Sequence, residues 1–332
     1  MKISIIGASG KIGLELTRLL LSSNAVNEHC FVLYSKTHKN KNLGLIMDLR
    51  SAFILDKKFF HTENLIITNS FIDIVDTDLC IIVAGRVPTP DDEQSFSKKG
   101  RDILSYVNRD IILDIADNLL KFSIKSDILV VTNQVDVVSR FLRNLLGRTN
   151  IYGLGGELDS TRLRLLLIDN GYTNIINDTS CFVGGYHNQD MFLFSKYFPL
   201  QIDYSIIENI MKNVKEYSYK IYILQKDTRD LLFNKSTVFL PARAILDFIL
   251  AYTGTSKFIT TVLNRIPILE EIGFNCDSAQ LLCDVQKGIV VPRITHLSDN
   301  DLLLLSDGSN NFDIEYKSFS ENNSYERRNL QL

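Results

Sequence analysis

Three residues near the middle of the chain have types and spacing that suit acid/base chemistry. Asp159 and Arg162 stand one helical turn apart in GLGGELDSTR (residues 153–162), and His187 follows in the glycine-flanked GYHN (185–188). Arg162 can bind a carboxylate through two parallel hydrogen bonds from its guanidinium. Asp159, in contact with His187, would fix one imidazole tautomer and favour the protonated form. The combination predicts proton transfer on a substrate that carries a carboxylate.

A glycine-rich turn at the start of the chain predicts a nucleotide site. Residues 3–13 read ISIIGASGKIG. In this run Gly7 allows a tight turn, Gly10 permits close approach of the backbone to a pyrophosphate, and Gly13 lets helix and strand pack closely. Lys11 and Ile12 begin the helix, whose free N–H groups would face the phosphates. The alternative is a glycine turn in a Rossmann-like fold that binds something else. A P-loop is excluded, because Ile12 stands where that motif holds magnesium through Ser or Thr.

The segment after the second predicted strand bears on the choice between NAD and NADP. An acidic residue there would hold the ribose 2′-hydroxyl and repel a 2′-phosphate, but residues 34–41 read YSKTHKNK. Ser35 and Lys36, with His38 or Lys39 nearby, would suit a 2′-phosphate. A solvated basic loop explains the same residues equally well. The sequence therefore leans towards NADP and leaves NAD open.

The order of the apolar runs indicates how these residues are positioned. In the first half, short apolar runs alternate with amphipathic stretches of helix length, which is typical of a parallel sheet with crossover helices. We predict an α/β protein, with a Rossmann parallel-sheet domain over residues 1–150 and an α+β catalytic domain over 151–332. The tail beyond Ser306 is rich in Asn, Ser and Glu, and we expect it to be polar and partly frayed at its end.

The individual elements are predicted from the same pattern. Predicted strands are Ile3–Ile6, Phe31–Tyr34, Leu65–Thr68, Leu79–Ala84, Ile128–Thr132, Ile151–Leu154 and a segment near Thr179–Val183. Predicted helices are Lys11–Ser22, Leu43–Ala52, Arg101–Phe122, Val135–Leu146, Ser160–Asp169, Tyr204–Leu224 and Pro241–Tyr252.

Bulk composition excludes several other classes of protein. A net charge of −3, with 45% hydrophobic and 23% charged residues, describes an ordinary globular chain without general attraction to nucleic acid or an anionic membrane. No apolar run reaches the roughly 18–20 residues that span a bilayer. The five cysteines form no CxxC pair, which argues against a zinc site and is typical of a reducing compartment. We expect a cytoplasmic protein without a secretory signal.

Taken together, the motifs resemble the lactate/malate dehydrogenase family, and most closely its lactate-dehydrogenase-like malate dehydrogenases. The similarity extends over most of residues 1–255, and the order and spacing of its pieces make it specific. The pieces are GASGKIG (7–13), Asp48-Leu49 with Ala52, Ala84-Gly85, Arg101 with Leu104 and Asn108, TNQVD (132–136), LDSTR (158–162), GYH (185–187) with Met191, and Pro241-Ala242 with Ala244.

The resemblance implies a role for each candidate catalytic residue. His187 would exchange a proton at the substrate oxygen, and Asp159 would orient it. Arg162 would bind the substrate carboxylate. Arg101, at the end of a mobile loop, would polarise the reacting carbonyl when the loop closes; an ordinary arginine at the start of an amphipathic helix is the alternative.

The resemblance also implies supporting residues and an assembly state. Asn133 would contact the substrate and the nicotinamide region, although capping of the following helix explains it too. Thr237 would line the pocket for the variable end of the substrate, and Asn108 would contribute to the cofactor site. The family implies a homodimer or homotetramer, a nicotinamide cofactor and no metal.

Three departures from the family pattern affect this prediction. Asn188 and Gln189 follow the candidate histidine in place of a Gly and an acidic residue, and Gln134 stands where the family has Pro. The loop over residues 86–100 is several residues longer than in the family and acidic in its middle.

The loop departure decides the choice of substrate. Malate-type enzymes carry a second Arg here, which pairs the distal carboxylate of the substrate, and Ser95 falls at that position. Arg86, Lys98 and Lys99 are the candidates to replace the missing cation. An unpaired carboxylate in a closed pocket is costly, so the substrate depends on which of them, if any, faces the pocket.

The sequence thus predicts reversible, nicotinamide-dependent oxidation of a small 2-hydroxy acid, with malate to oxaloacetate preferred. Two alternatives stay open: a dehydrogenase of lactate or a branched 2-hydroxy acid, and a degenerate relative that binds nucleotide without turnover. The long acidic loop, the residues after the histidine and the divergent C-terminal third motivate the second. An enzyme with a Tyr-x-x-x-Lys pair is disfavoured, because Tyr222 and Lys226 fall late in the second half.

Overall fold

The computed structural model of the chain describes most of the predicted site. It covers residues 1–321 except 24, 56–61, 90, 93–102, 123, 174–179, 188–189, 199–201, 227–236, 255–256, 265, 267–268, 270, 272–273 and 275. Several residues singled out from the sequence lie outside the described residues: Ser95, Lys98, Lys99, Arg101, Asn188 and Gln189.

The first half of the chain forms a parallel sheet in the order β3-β2-β1-β4-β5-β6. The inner strands are buried along almost their whole length, as expected for a sheet covered by helices on both faces. Ligands bind such sheets at the carboxyl ends of the strands, beside the point where strand order reverses. Here that point lies between β1 and β4. The elements are β1 (Lys2–Ile6), α1 (Lys11–Ser22), α2 (Ala25–Glu28), β2 (Cys30–Tyr34), α3 (Lys39–Leu55), β3 (Leu65–Thr68), β4 (Leu79–Ile82), α4 (Leu104–Lys121), β5 (Asp127–Val130), α5 (Val135–Leu146) and β6 (Ile151–Gly153).

The second half extends the same sheet with antiparallel strands. Its order continues β6-β9-β10-β7-β8, and β11 pairs with β10. The link between the two halves is the antiparallel pairing of Gly153 in β6 with Val262 in β9. The elements are α6 (Gly156–Asp169), β7 (Val183–Gly185), β8 (Met191–Leu193), α7 (Tyr204–Lys226), α8 (Phe239–Thr253), β9 (Lys257–Asn264), β10 (Ser278–Gln286), β11 (Ile289–Pro292) and α9 (Asp299–Glu321).

The predicted elements of the first half are confirmed with small changes of boundary. The helices at 11–22 and 135–146 have the predicted ends, whereas the helix predicted at 43–52 begins at Lys39 and ends at Leu55. The strands predicted to reach Ala84 and Thr132 end two residues earlier, so these two residues lie in the loops of the ligand-facing edge. Strands β9, β10 and β11 were not predicted.

The tail beyond Ser306 is helical as far as Glu321, which its polar composition did not predict, and the fraying predicted for its end falls on residues outside the described ones. Residues 299–321 form helix α9, and its apolar residues Phe312, Tyr316 and Phe319 are buried. Their spacing of four and three places them on one helical face, and that face packs on the rings of Tyr186 and Phe141 at 4.9 and 5.2 Å between centroids. The tail therefore covers the segment that carries His187.

Among the described helices, none combines the length and the apolar character needed to span a bilayer.

Candidate active site

The glycine turn adopts the geometry that its sequence predicts. Gly7 has φ +98°, and a Cβ on it would lie 2.6 Å from the backbone of Ala84 in the loop after β4. A Cβ on Gly13 would lie 2.5 Å from the carbonyl oxygen of Ala8. Both positions exclude any larger residue, because contacts this short do not occur for real Cβ atoms. The turn is thereby held tightly between β1 and α1.

Gly10 differs from these two glycines because its free space faces outwards. It is exposed and precedes Lys11, the first residue of α1. A Cβ there would meet only the carbonyl oxygen of Gly7, at 3.2 Å. Packing within the protein therefore does not require a glycine at Gly10. A ligand that approaches the backbone at the start of α1 explains the residue, and a pyrophosphate fits this position.

Two polar side chains support the turn from the second strand and the helix after it. Ser35 is 2% exposed, and its Oγ accepts a hydrogen bond from the backbone N–H of Ser9 at 3.0 Å. Asn42, in α3, donates from Nδ2 to the carbonyl oxygen of Ala8 at 3.0 Å. The structure thus gives Ser35 a role behind the turn, in place of the predicted exposed contact with a 2′-phosphate. Lys36 is 69% exposed at the side chain, and its Nζ pairs with Asp114 of α4 at 3.0 Å.

The ends of β4 and β5 are fastened together beside the turn. Asn108, 2% exposed in α4, accepts a hydrogen bond from the N–H of Arg86 at 2.6 Å and donates to the carbonyl oxygens of Arg86 and Leu104. Thr132 donates to the carbonyl oxygen of Ala84 at 2.7 Å. The side chain of Asn108 therefore positions the chain after β4, and its direct contact with the cofactor stays a prediction. Asn133 is exposed at the same edge, two residues before α5 begins.

The three residues predicted to do the chemistry are brought together. Nδ1 of His187 donates to Oδ2 of Asp159 at 2.5 Å, and Nη1 of Arg162 donates to Oδ1 of the same carboxylate at 2.9 Å. The side chains of His187, Asp159 and Arg162 are 8%, 2% and 3% exposed. Because the buried carboxylate accepts a hydrogen bond from each, it fixes the orientation of both the imidazole and the guanidinium. It also favours the tautomer with the proton on Nδ1.

Arg162 has donor capacity beyond this ion pair. Its Nε is buried and has no hydrogen-bond partner among the described residues. A buried guanidinium donor without an acceptor is costly, so a site of this kind is suited to an anionic ligand. A substrate carboxylate supplies the planar pair of oxygens that a guanidinium recognises.

A second carboxylate, which the sequence argument did not select, holds the backbone of His187. Oδ2 of Asp136, at the start of α5, accepts the backbone N–H of His187 at 2.9 Å. Nε2 of Gln280 in β10 donates to both oxygens of Asp136, at 3.0 and 3.2 Å. Burial raises the pKa of the Asp136 carboxyl to about 6, against the opposing influence of His187 and Gln280. Asp136 lay within the motif at 132–136, but nothing in the sequence connects it with Gln280, 144 residues away.

Glycines at the start of α6 make room for this arrangement. A Cβ on Gly156 would lie 2.6 Å from Oε1 of Gln280 and 2.4 Å from Cγ2 of Thr260. The N-terminus of α6 therefore packs directly on β9 and β10. Asp159 lies in the first turn of that helix, where the helix dipole favours a negative charge.

The described part of the altered loop contains an ion pair joined by two parallel hydrogen bonds. Nη1 and Nη2 of Arg86 donate to the two carboxylate oxygens of Asp92 at 2.6 and 2.7 Å. The N–H and Oγ1 of Thr89 donate to Oδ2 of Asp92 at 2.7 and 2.8 Å. These donors hold the pKa of Asp92 below its usual range, with Arg86 as the first cause. The charge of Arg86 is thus already neutralised by the protein itself.

For two other predicted site residues, Thr237 and Arg101, the described part of the structure gives no contact that bears on their predicted roles. Thr237 is half-buried two residues before α8 begins, and its contact with the substrate stays a prediction. Arg101 lies outside the described residues, so its predicted role stays a prediction too.

Comparison with known proteins identifies the nucleotide-binding half. A family model described as lactate/malate dehydrogenase, NAD binding domain, matches residues 1–150. Over residues 1–150 the chain therefore matches the lactate/malate dehydrogenase family. This half of the chain therefore binds NAD(H), and the family resemblance predicted from the motifs is confirmed.

Similar proteins extend the likeness beyond this domain. A malate dehydrogenase of Methanothermobacter thermautotrophicus is 27% identical over 270 residues, which are 80% of this chain and 77% of the relative. A malate dehydrogenase of Nitrosococcus oceani is 28% identical over 238 residues, 68% of this chain and 70% of the relative.

Solved structures share the fold along nearly the whole chain. Malate dehydrogenase from Archaeoglobus fulgidus in complex with NADH superposes with a TM-score of 0.77 at 23% identity, covering 96% of this chain and 100% of that one. Lactate dehydrogenase from Eimeria maxima with NADH and oxamate gives 0.75 at 21% identity, covering 96% and 94%. These likenesses establish the predicted α/β fold for the second half as well.

Proposed function

We propose that this protein catalyses the reversible, nicotinamide-dependent oxidation of a small 2-hydroxy acid, with malate to oxaloacetate as the preferred reaction. The observation that carries the proposal is the buried carboxylate of Asp159, which joins the imidazole of His187 to the guanidinium of Arg162. The malate dehydrogenases similar to this chain support the choice of malate.

The protein side of the reaction follows from these contacts. Nδ1 of His187 is engaged by Asp159, so Nε2 is the ring nitrogen that exchanges a proton with the substrate oxygen. The carboxylate of Asp159 stabilises the imidazolium that forms on oxidation of the hydroxy acid. Arg162 binds the substrate carboxylate and thereby sets the distance between the reacting carbon and His187. Arg101 is proposed, from the resemblance, to polarise the carbonyl.

The nicotinamide cofactor is proposed to bind at the carboxyl edge of the sheet. Its pyrophosphate fits the exposed backbone at Gly10 and the N-terminus of α1, with Lys11, Ile12 and Asn133 beside it. When bound, the cofactor supplies or accepts the hydride. The protein residues bind it, orient the substrate against it and hold the proton.

The preference for NADP over NAD now depends on Lys36, with His38 or Lys39 nearby, because Ser35 is buried behind the glycine turn. Lys36 is exposed and already pairs with Asp114, and an exposed pair of this kind is worth little. A 2′-phosphate would have to attract Lys36 away from Asp114. We propose that NADH is used and that NADPH is accepted through Lys36.

Arg86 is proposed to pair the distal carboxylate of malate. Its backbone is fixed by Asn108 at the ligand-facing edge, but its guanidinium is occupied by Asp92. That occupation is the specific observation in favour of the second candidate function, which is oxidation of a monocarboxylic 2-hydroxy acid such as lactate.

The domain division, the cellular location and the assembly of the protein are also proposed. The chain divides near residue 150 into the cofactor half and a catalytic half, acts in the cytoplasm, and assembles as a homodimer or homotetramer. Exposed apolar residues on α3 and α8 support the assembly.

A panel of substrates tests the proposed function. Oxidation of NADH and of NADPH is followed by absorbance with oxaloacetate, pyruvate and a branched 2-oxo acid. We expect turnover with oxaloacetate, faster with NADH than with NADPH. Turnover only with monocarboxylates would move the function to the lactate side. Binding of NADH without turnover on all three substrates would refute catalysis and favour a degenerate nucleotide-binding relative.

A further inference from the structure

Asp92 binds Arg86 in the way that a ligand carboxylate would. Two parallel hydrogen bonds of 2.6 and 2.7 Å join the guanidinium to both carboxylate oxygens, which is the geometry by which arginine recognises carboxylates and phosphates. Thr89 completes the set with its N–H and its hydroxyl, both on Oδ2 of Asp92. An anion from outside the protein would have to replace this internal one.

The backbone of Arg86 is fixed, so only its side chain can move to a new partner. Asn108 binds both the N–H and the carbonyl oxygen of Arg86, and a Cβ on Gly85 would lie 3.1 Å from Oδ1 of Asn108. This fixed segment leaves the end of β4, which is adjacent to β1 in the sheet. Arg86 therefore stands at the edge where dinucleotide and substrate bind in folds of this type, with its side chain 44% exposed.

We propose that Asp92 is an internal counter-ion that occupies Arg86 until an anionic group of the ligand displaces it, and that Asp92 thereby sets the selectivity of the site for anions. The anion is a carboxylate or phosphate group. It belongs to one of two ligands, the distal carboxylate of a dicarboxylic 2-oxo acid or the pyrophosphate of the dinucleotide. The inference rests on the proposed function.

The energetics permit such an exchange. The guanidinium of Arg86 is partly exposed to solvent, and ion pairs at the protein surface are weakly held, so an external anion can compete with Asp92. On displacement the carboxylate of Asp92 returns to water, where it is well solvated, and Arg86 keeps an anionic partner throughout. Asp110 adds further negative charge around Arg86, which favours retention of the positive side chain at this edge.

The test compares Asp92→Asn with Asp91→Asn, which makes the same change of charge one residue away. Calorimetry measures the affinity for NADH, and then the affinities of the NADH complex for oxaloacetate and for pyruvate. We expect Asp92→Asn to strengthen one of these interactions by about three- to fivefold, the range that an exposed pair permits. The Asp91→Asn protein should bind like the wild type.

The ligand that responds identifies the anion. A gain for NADH assigns Arg86 to the pyrophosphate, whereas a gain for oxaloacetate without one for pyruvate assigns it to the distal carboxylate. In either case the gain must vanish when Asp92→Asn is combined with Arg86→Ala, because the effect acts through Arg86.

Two results would overturn the proposal: unchanged affinity for NADH and oxaloacetate in Asp92→Asn, or a gain that persists without Arg86. Binding is read without turnover, so the outcome is separable from that of the proposed function. A protein that binds both ligands but does not turn over can still confirm the role of Asp92. A wild-type protein that binds neither NADH nor NADPH would refute both.

Discussion

At the scale of single residues, the site is organised around two buried carboxylates that hold one histidine from different sides. Asp159 binds the ring of His187 and Asp136 binds its backbone N–H. Only Asp159 has a cation as a direct hydrogen-bond partner in the described contacts, namely Arg162. Asp136 is stabilised instead by the neutral amide of Gln280. The two carboxylates therefore differ in cost: a buried charge with a neutral partner is less well compensated.

Because burial disfavours the ionised form of Asp136, the stability of the folded protein should depend on pH. Its pKa in the folded protein is about 6, above the ordinary 3.8, so the folded state binds this proton more tightly than the unfolded state. The stability that this proton contributes is present below the unfolded pKa and is lost as pH rises through about 6. Relative to Asp136→Asn, we expect the wild type to lose up to about 3 kcal/mol of unfolding free energy between pH 4 and 8.

Urea unfolding of both proteins across that range measures this difference. Asp203→Asn is the control, because Ser205 lowers the pKa of that exposed carboxyl and it stays ionised throughout most of the range. A difference between the wild type and Asp136→Asn that stays constant, or grows in favour of the wild type with rising pH, would contradict the burial of an ionisable Asp136.

At the scale of elements, the glycine turn shows how close packing creates a binding surface. Gly7 and Gly13 are required by neighbouring backbone, whereas Gly10 is left open towards the ligand. Ser35 and Asn42 fix the turn from behind. Affinity for the cofactor should therefore depend on how closely α1 approaches β1.

Gly13→Ala tests this dependence. The added Cβ would lie 2.5 Å from the carbonyl oxygen of Ala8, so α1 must shift away from β1. We expect a loss of about 1–3 kcal/mol in unfolding free energy, as for other overpacked sites, together with weaker binding of NADH. Gly44→Ala in α3 is the matched control. A Cβ there meets nothing within 4 Å, and alanine is favoured over glycine inside a helix.

Thermal unfolding and fluorescence titration with NADH measure both quantities. Unchanged NADH affinity in a Gly13→Ala protein that is clearly destabilised would separate the packing of α1 from cofactor binding.

How far the sequence predicts each element depends on the range of its contacts. Periodicity and local glycines predicted α1 and α5 to the residue, and the motif spacing predicted the joining of His187, Asp159 and Arg162. Strands β9 and β10 were missed although they pair with each other. Their links to β6 and β7 join segments far apart in the chain, which local pattern does not show. For the same reason the roles of Gln280 and Asn108 emerged only from the structure. Composition did not predict helix α9, because three buried aromatic residues decide its packing despite its polar majority.

At the scale of the whole molecule, exposed apolar residues on α3 and α8 support the proposed homodimer or homotetramer. Leu43, Met47 and Ile54 of α3 are 48%, 61% and 56% exposed, and their spacing of four and seven residues places them on one face. Phe239 of α8 is 59% exposed. Helix α1 packs against both α3 and α8. A group of exposed apolar side chains on one face of the protein is typical of an interface between subunits.

A charge on this face should dissociate the assembly. We expect Met47→Asp to shift the protein from dimer or tetramer towards monomer in sedimentation velocity, because an unpaired carboxylate in an apolar interface is costly. Ile314→Asp is the control, since Ile314 is 71% exposed on α9. A wild type that is monomeric, or dissociation by Ile314→Asp alone, would contradict the interface on α3.

The most direct test of the central claim is the turnover of His187→Asn with oxaloacetate and NADH, measured beside its affinity for NADH. If His187 exchanges the substrate proton, turnover falls by about a hundredfold or more, the range of general acid/base catalysis. The affinity for NADH should stay at the wild-type value, since the glycine turn is untouched. Wild-type turnover retained in His187→Asn would show that the proton comes from elsewhere and would contradict the assignment of the site.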